Sequence, residues 1–277
     1  MSRQFKDVLA RHVRLKGLHV GILVFPSVEV LDFAGPLEVF SLASRVCGRD
    51  FGIEQPFRVS LIGADRNEIA APHGLRILAH YTFNNARELD LVIVPGGQMV
   101  RPLGCQKTRA SVNSAGDRPA LIASVCTGAF LLASLGVLDG HPVVTHWEDI
   151  IDLRAQFPEL DVKEKLPFID SGGVITSPGI SAGISMSLHL VERVLRAEIS
   201  AATAPQIEYD WMPSVSQPFK SSGLDLWKDI AFNALCTLAM GRELPYTWRA
   251  ETGQKQTFVS RQRFAGRMDV RSDNQAL

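Results

Sequence analysis

Leu-Ile-Ala-Ser-Val-Cys-Thr-Gly-Ala-Phe-Leu-Leu-Ala-Ser-Leu-Gly, residues 121–136, opens as a short apolar run and continues as an Ala/Leu-rich segment with helical spacing. Cys126 stands where the period changes, between the small residues Ser124 and Gly128. A strand that turns sharply into a helix exposes the turn residue at the end of a sheet, the arrangement in which hydrolases carry their nucleophilic serine. Here the residue is cysteine, and a helix N-terminus beside it favours a thiolate, so the expectation is a thiol pKa below the free value of ~8.5. A lone cysteine at such a junction is otherwise a small buried hydrophobe. What surrounds it in sequence decides between the two.

Working outward, residues 18–25 (Leu-His-Val-Gly-Ile-Leu-Val-Phe) and 89–94 are continuous apolar runs, as expected of parallel strands buried on both faces. Residues 57–62 read as a further strand, and 69–79 as a hairpin around Pro-His-Gly. Gly35-Pro36 is expected to open a helix, with proline in its first turn. A polar helix is expected over 106–115, a short strand over 142–145 and a helical segment over 147–157. Three β-ribbon pieces (162–165, 168–170, 174–176) lie around Ser171-Gly172-Gly173, and a long helix follows over 181–195. This alternation predicts an α/β fold: a flavodoxin-like three-layer sandwich with a mostly parallel sheet and a cysteine nucleophile elbow. The expected division is an N-terminal extension (1–16), a catalytic domain (17–212) and a C-terminal helical tail (213–277). The tail carries apolar residues at helical spacing over 224–240 and then Arg261, Arg263, Arg267 and Arg271.

With 29 basic and 29 acidic residues, the chain has no net charge to attract nucleic acid or an anionic membrane surface, so neither is expected as a partner. Cys47, Cys105, Cys126 and Cys236 form no Cys-x-x-Cys pair, which suits free thiols in a reducing compartment. Without a signal-peptide pattern or an apolar run near the ~20 residues of a membrane span, the expected location is the cytoplasm.

In an open parallel sheet, ligands bind outside the carboxyl ends of the strands. Asp32, Gly96, Gly97, Cys126, Thr127 and His146 all fall there. Separately, an Asp after a strand is a helix cap, Pro-Gly-Gly a turn and His146 beside Trp147 a packing residue. Together they supply a nucleophile, an acid and backbone donors. No cluster with metal-ligand spacing is present, and neither metal nor organic cofactor is expected.

Five segments in order carry a specific resemblance: Val-Leu-Asp-Phe-Ala-Gly-Pro-Leu-Glu-Val-Phe (30–40), Ile-Val-Pro-Gly-Gly (93–97), Ser-Val-Cys-Thr-Gly-Ala-Phe-Leu-Leu-Ala (124–133), Val-Thr-His-Trp (144–147) and Ser-Pro-Gly-Ile-Ser-Ala-Gly-Ile (177–184). Over residues 18–212 the chain resembles the ThiJ/PfpI superfamily, with its class I glutamine amidotransferase-like fold, and within it the isonitrile hydratases. The resemblance implies that Cys126 is the nucleophile, Asp32 its acid partner and Thr127 an assisting residue. Gly96, Gly97 and His146 would line the substrate or oxyanion site. It implies hydration of isonitriles to N-substituted formamides through a covalent thioimidate, on a small-molecule substrate, by a homodimer. The alternatives are a glyoxalase or deglycase acting on 2-oxoaldehydes and a ligand sensor without turnover. Peptidases of the superfamily carry His directly after the cysteine, whereas this chain carries Thr127. Ser185 stands where many relatives have Asp, at a position read as structural. The sensor half of certain bacterial DNA-binding regulators is also similar, but the tail shows no clear pair of helix-turn-helix units, and a DNA-binding module is not expected in it.

Overall fold

Leu18–Leu23 (β1) is buried at all six positions, as its unbroken apolar run requires. His19 fits inside it because its ring Nε2 lies 2.9 Å from Ser60 Oγ and Arg58 approaches Nδ1 at 3.0 Å. The computed structural model describes residues 17–65, 68–82, 84–86, 89–116 and 121–211. The extension 1–16, the expected tail 213–277 and Cys236 lie outside the described residues.

After β1 the order is α1 (Val30–Phe51), β2 (Phe57–Gly63), the short strands β3 (Ile69–Ala70), β4 (Arg76–Ile77) and β5 (Tyr81–Thr82), and then β6 (Leu91–Val94). Next come α2 (Val100–Gly104), α3 (Gln106–Gly116), β7 (Leu121–Val125), α4 (Gly128–Ser134), β8 (Pro142–Val143) and α5 (Ile150–Gln156). The last elements are β9 (Asp161–Val162), β10 (Ile169–Asp170), β11 (Val174–Ser177), α6 (Ala182–Val194) and α7 (Ala197–Thr203). Seven strands form one sheet in the order β10-β11-β7-β6-β1-β2-β5. Every pairing in it is parallel except that of β10 with β11. Helices α1, α6 and α7 pack on one another, while α2 and α4 form a second group, with α3 against α2. The expected flavodoxin-like α/β layering with a mostly parallel sheet is therefore present.

Order reverses between β1 and β6: the chain runs outward through β2 on one side and through β7 and β11 on the other. That reversal opens a crevice at the strand ends, where Asp32, Gly96 and Cys126 follow β1, β6 and β7.

Two local expectations are corrected. Helix α1 starts at Val30 rather than at Gly35-Pro36, so Pro36 lies inside it. The apolar positions Phe33, Val39, Phe40 and Ala43 are buried along this longer helix, and that burial outweighs the hydrogen bond that proline cannot donate to the carbonyl of Asp32. Asp32 consequently sits in the first helical turn, not in a loop and not as a cap. The pieces read as one β-ribbon also divide. Only β10 and β11 form the antiparallel hairpin, whereas β9 pairs in parallel with β8, Val143 opposite Val162.

Candidate active site

Cys126 adopts the left-handed conformation, φ 57°, immediately after β7 and two residues before α4 begins. For a residue with a Cβ this costs of order 1–3 kcal/mol, so the surroundings must hold it. They do so through both of its backbone groups. Its N–H donates to the carbonyl of Ser177 at 3.0 Å, and its carbonyl accepts from Thr145 Oγ1 at 3.0 Å. Ser177 in turn donates its hydroxyl to the carbonyl of Ser124. The elbow is thus clamped by the end of β11 and the segment after β8, and its side chain is 8% exposed.

Two glycines let the surrounding backbone come this close. A Cβ at Gly96 would lie 2.7 Å from Cys126 Cβ and 2.8 Å from both Asp32 Oδ2 and the Thr127 nitrogen, so the three groups meet over that glycine. Gly179, at φ +84°, presses against Cys126 Cβ closely enough to leave no room for a side chain.

Asp32 is fully buried. Its Oδ2 accepts the Gly96 N–H at 3.0 Å, and its Oδ1 has no hydrogen-bond partner. Burial pushes the carboxyl up from 3.8 to about 7; the Gly96 N–H opposes this, the charge of Glu29 adds to it, and a contact with the Cys126 side chain draws it part of the way back. Burial likewise pushes the Cys126 thiol up to about 12, with the negative charge of Asp32 next in weight. The Thr127 N–H works in the opposite direction, and Asp149 adds a smaller rise. This corrects the expectation of a depressed thiol pKa. The N-terminus of α4 does reach the sulfur, but desolvation and the adjacent carboxyl outweigh it. Above about 7 the pair holds one proton, on the sulfur, and below that the carboxyl takes up a second.

A different cysteine has the lowered pKa. Burial raises Cys105, but the Thr108 hydroxyl, the N–H groups of Thr108 and Lys107 and the charge of Lys107 together outweigh it. Cys47 is buried and pushed up to about 11, in keeping with a structural role.

Gly96 and Gly97 do not offer the free donors expected of an oxyanion site. The Gly96 N–H serves Asp32 and the Gly97 N–H donates to Thr127 Oγ1 at 3.0 Å. Thr127 returns its hydroxyl proton to the Gly97 carbonyl, also at 3.0 Å. Its hydroxyl therefore braces the Pro-Gly-Gly turn, and both its N–H and its hydroxyl also act on the sulfur. His146 stands beside the elbow segment with Nδ1 3.5 Å from Asp149 Oδ2 and 3.9 Å from Glu148 Oε2. Ser185 is bonded to Tyr209 at 2.8 Å, in line with the structural reading. Gly179, Thr145, Ser177 and Asp149 were not singled out from sequence. The Ser-Pro-Gly and Val-Thr-His-Trp segments marked their neighbourhood, but nothing in them said which atoms touch Cys126. Among the described residues no group of three or more His, Cys, Asp or Glu side chains is placed to hold a metal ion, and no helix is long and apolar enough to cross a membrane.

Known proteins resemble the chain in sequence and in fold. The chain is 30% identical over 209 residues to the isonitrile hydratase of Pseudomonas putida, covering 75% of this chain and 84% of that protein. It is 28% identical over 191 residues to the HTH-type transcriptional regulator GbdR of Pseudomonas aeruginosa, and spans about half of that regulator's length (50%). Among solved structures, a ThiJ/PfpI family protein from Pseudomonas syringae superposes with a TM-score of 0.62 at 23% identity, over 76% of this chain and 81% of that one. Drosophila melanogaster DJ-1beta superposes with a TM-score of 0.60 at 17% identity, over 70% of this chain and all of that one (100%). Both are likenesses of fold. The DJ-1/PfpI family matches residues 19–193, more than half of the sequence, and the chain belongs to that family.

Proposed function

We propose that the protein hydrates isonitriles, R–N≡C, to N-substituted formamides, with Cys126 and Asp32 as catalytic residues. The observation that carries this reading is the buried pair itself: a thiol on a strained elbow beside a carboxyl raised to about 7. The similarity to an isonitrile hydratase over most of both chains supports the choice of substrate.

An isonitrile carbon accepts a nucleophile only as it receives a proton, and a pair that holds one mobile proton supplies both. The Asp32 carboxylate takes the thiol proton as sulfur bonds to the terminal carbon, then delivers that proton to the same carbon. The product is a thioimidate, R–N=CH–S–Cys126. Asp32, again a carboxylate, removes a proton from water as its oxygen bonds to the carbon, and passes the proton to nitrogen. The tetrahedral species R–NH–CH(OH)–S–Cys126 collapses; its hydroxyl proton goes by way of Asp32 to the departing sulfur, and R–NH–CHO leaves. One water is consumed and the pair ends as it began. Thr127 and Gly97 hold the turn beside Asp32, and no step requires His146.

The test is a paired assay: loss of cyclohexyl isocyanide with appearance of N-cyclohexylformamide, against conversion of methylglyoxal to lactate. Hydration by the wild type, abolished in Cys126→Ala, supports the proposal. Methylglyoxal turnover without isocyanide hydration overturns it in favour of the glyoxalase reading. The similarity to a transcriptional regulator favours a second reading, ligand sensing without turnover. Specific DNA binding in a gel-shift at physiological salt, with neither reaction catalysed, would establish that one. The homodimer expected for the family belongs to the same proposal and is checked by sedimentation.

A further inference from the structure

Residues 163–166, the segment that follows β9, line a cavity of about 370 Å³. Its lining is charged at Lys163, Glu164 and Lys165, polar at His146, and apolar at Val144, Trp147, Ile150, Leu166 and Ile180. Neither Cys126 nor Asp32 is among the residues that line it, so a molecule held there touches neither of the paired side chains. Two lining residues do reach the elbow. Thr145 donates its hydroxyl to the Cys126 carbonyl, and Gly179 packs on Cys126 Cβ. The cavity and the thiol are neighbours, and a test has to tell them apart.

Most of the charge around the cavity is already answered. Lys163 is paired with Asp161 at 2.7 Å, and Glu164 with Arg154 at 2.8 Å. The His146 ring faces carboxylates, its Nδ1 3.5 Å from Asp149 Oδ2 and 3.9 Å from Glu148 Oε2. Lys165 is solvent-exposed and has no ion pair among the described residues. Its backbone is held in the left-handed conformation, φ 58°, which a residue with a Cβ seldom adopts. Such conformations persist where the surroundings impose them, and they cluster at ligand clamps. Here the restraint is close by: the Lys163 N–H donates to the Val143 carbonyl at 2.7 Å, and β9 pairs with β8. One unanswered ammonium on a fixed stretch of wall suits one negative charge.

The apolar lining adds a second requirement. Trp147 is 72% exposed and Ile180 40% exposed, and large apolar side chains left in water are relieved when hydrocarbon covers them. A ligand that answers both features carries a single carboxylate on a neutral hydrocarbon body. A volume near the lower end of the ~300–1,000 Å³ usual for small-molecule sites limits that body to about one ring.

We infer that this cavity is an accessory binding site for a small organic monocarboxylate, with the Lys165 ammonium taking the carboxylate and Trp147 and Ile180 covering the hydrocarbon body. The site goes beyond the proposed hydration and does not depend on it.

The experiment is calorimetry on the full chain with cyclohexanecarboxylate, its neutral analogue cyclohexanecarboxamide, and acetate. The wild type is expected to bind the cyclic acid saturably, about tenfold or more tighter than the amide or acetate. Lys165 is exposed and methionine keeps its length, so Lys165→Met removes the charge alone. It is expected to bring the acid down to the affinity of the amide and to leave the amide unmoved. Trp147→Ala should weaken acid and amide alike, by about tenfold. Cys126→Ala should bind the acid as the wild type does. No saturable binding of the acid to the wild type overturns the inference, as does an amide bound as tightly as the acid. So does an affinity for the acid that Lys165→Met leaves unchanged. Loss of acid binding in Cys126→Ala also overturns it, since the ligand would then occupy the thiol site. None of these readouts needs turnover, so the result stands apart from the outcome of the isocyanide assay.

Discussion

Gly97 and Thr127 exchange two hydrogen bonds of 3.0 Å, the glycine N–H to the threonine hydroxyl and the hydroxyl to the glycine carbonyl. One side chain thereby fastens the turn after β6 to the elbow after β7. The turn carries Gly96, whose N–H holds Asp32, so the threonine helps fix the distance between acid and thiol, while its N–H and hydroxyl also bear on the sulfur. Thr127→Ser keeps both bonds and should retain most activity. Thr127→Val keeps the shape but strands a part-buried N–H and carbonyl and takes the hydroxyl from the sulfur, and kcat should fall about tenfold or more. Steady-state kinetics of the two variants decide this; equal activity would make the pair of bonds incidental.

The pH dependence of kcat/KM should follow the proton held by Asp32 and Cys126. Below about 7 a second proton joins the pair and no base remains to release the thiol. Activity should rise with pH through about 7, with unit slope, and level off above it. Asp32→Asn removes the proton carrier, and should lower the rate by about 10²–10⁴ and abolish the acid limb. A limb that persists in that variant would place the titration elsewhere.

Asp32 also makes stability depend on pH, in the opposite sense to an ordinary paired carboxylate. Its carboxyl titrates at about 7 when folded, against an ordinary 3.8 in the unfolded chain. Between those values the folded chain keeps a proton that the unfolded chain has released, so stability falls as pH rises, and the loss is complete above about 7. Asp32→Asn, neutral and of equal size, should therefore be more stable than the wild type at pH 8, by about 2–4 kcal/mol. The gap should shrink steadily towards pH 4. Thermal melts across that range measure it.

Alkylation separates acidity from catalytic role. With the Cys126 thiol raised to about 12 and the Cys105 thiol lowered, limiting iodoacetamide at neutral pH should modify Cys105 first. Peptide mapping reads the order directly. Cys105→Ala should leave turnover intact, so that the more acidic thiol and the required thiol are shown to be different residues.

Gly179→Ala should cost about a hundredfold or more in activity, because the new Cβ would displace Cys126 from its place beside the acid. Gly48→Ala is the control: it lies in α1 with nothing within 4 Å of a Cβ, and should stabilise the protein by roughly 0.5–1 kcal/mol. Circular dichroism establishes that both variants fold.

Much of this site was legible because strand burial and elbow geometry leave local marks. The runs at β1, β6 and β7 are apolar on both faces, and Cys126 lies between small residues at the change of period. What failed was anything set by distant atoms. Pro36 suggested a helix start because proline favours first turns, yet packing carried the helix back to Val30. The acidity of Cys126 was read from the helix dipole alone, a local effect, while burial and a carboxyl 94 positions earlier in the chain decided it. The N–H groups of Gly96 and Gly97 are taken by the Asp32 carboxyl and the Thr127 hydroxyl, partners 64 and 30 positions away that no local pattern marks.

The reversal of strand order between β1 and β6 has a kinetic consequence. Asp32 and Gly96 are 64 positions apart, and their hydrogen bond exists only once β6 has docked on β1. Pairing of β1 with β2 is closer in sequence and needs neither β6 nor β7. Closing the separation between Asp32 and Gly96 is a non-local step, so the acid comes to lie beside its thiol only when the sheet has joined across β1 and β6. Before that junction forms, Cys126 is expected to react as an ordinary cysteine, and to become protected as the sheet closes around it. Pulse alkylation during refolding would register that closure as a clock built into the chain.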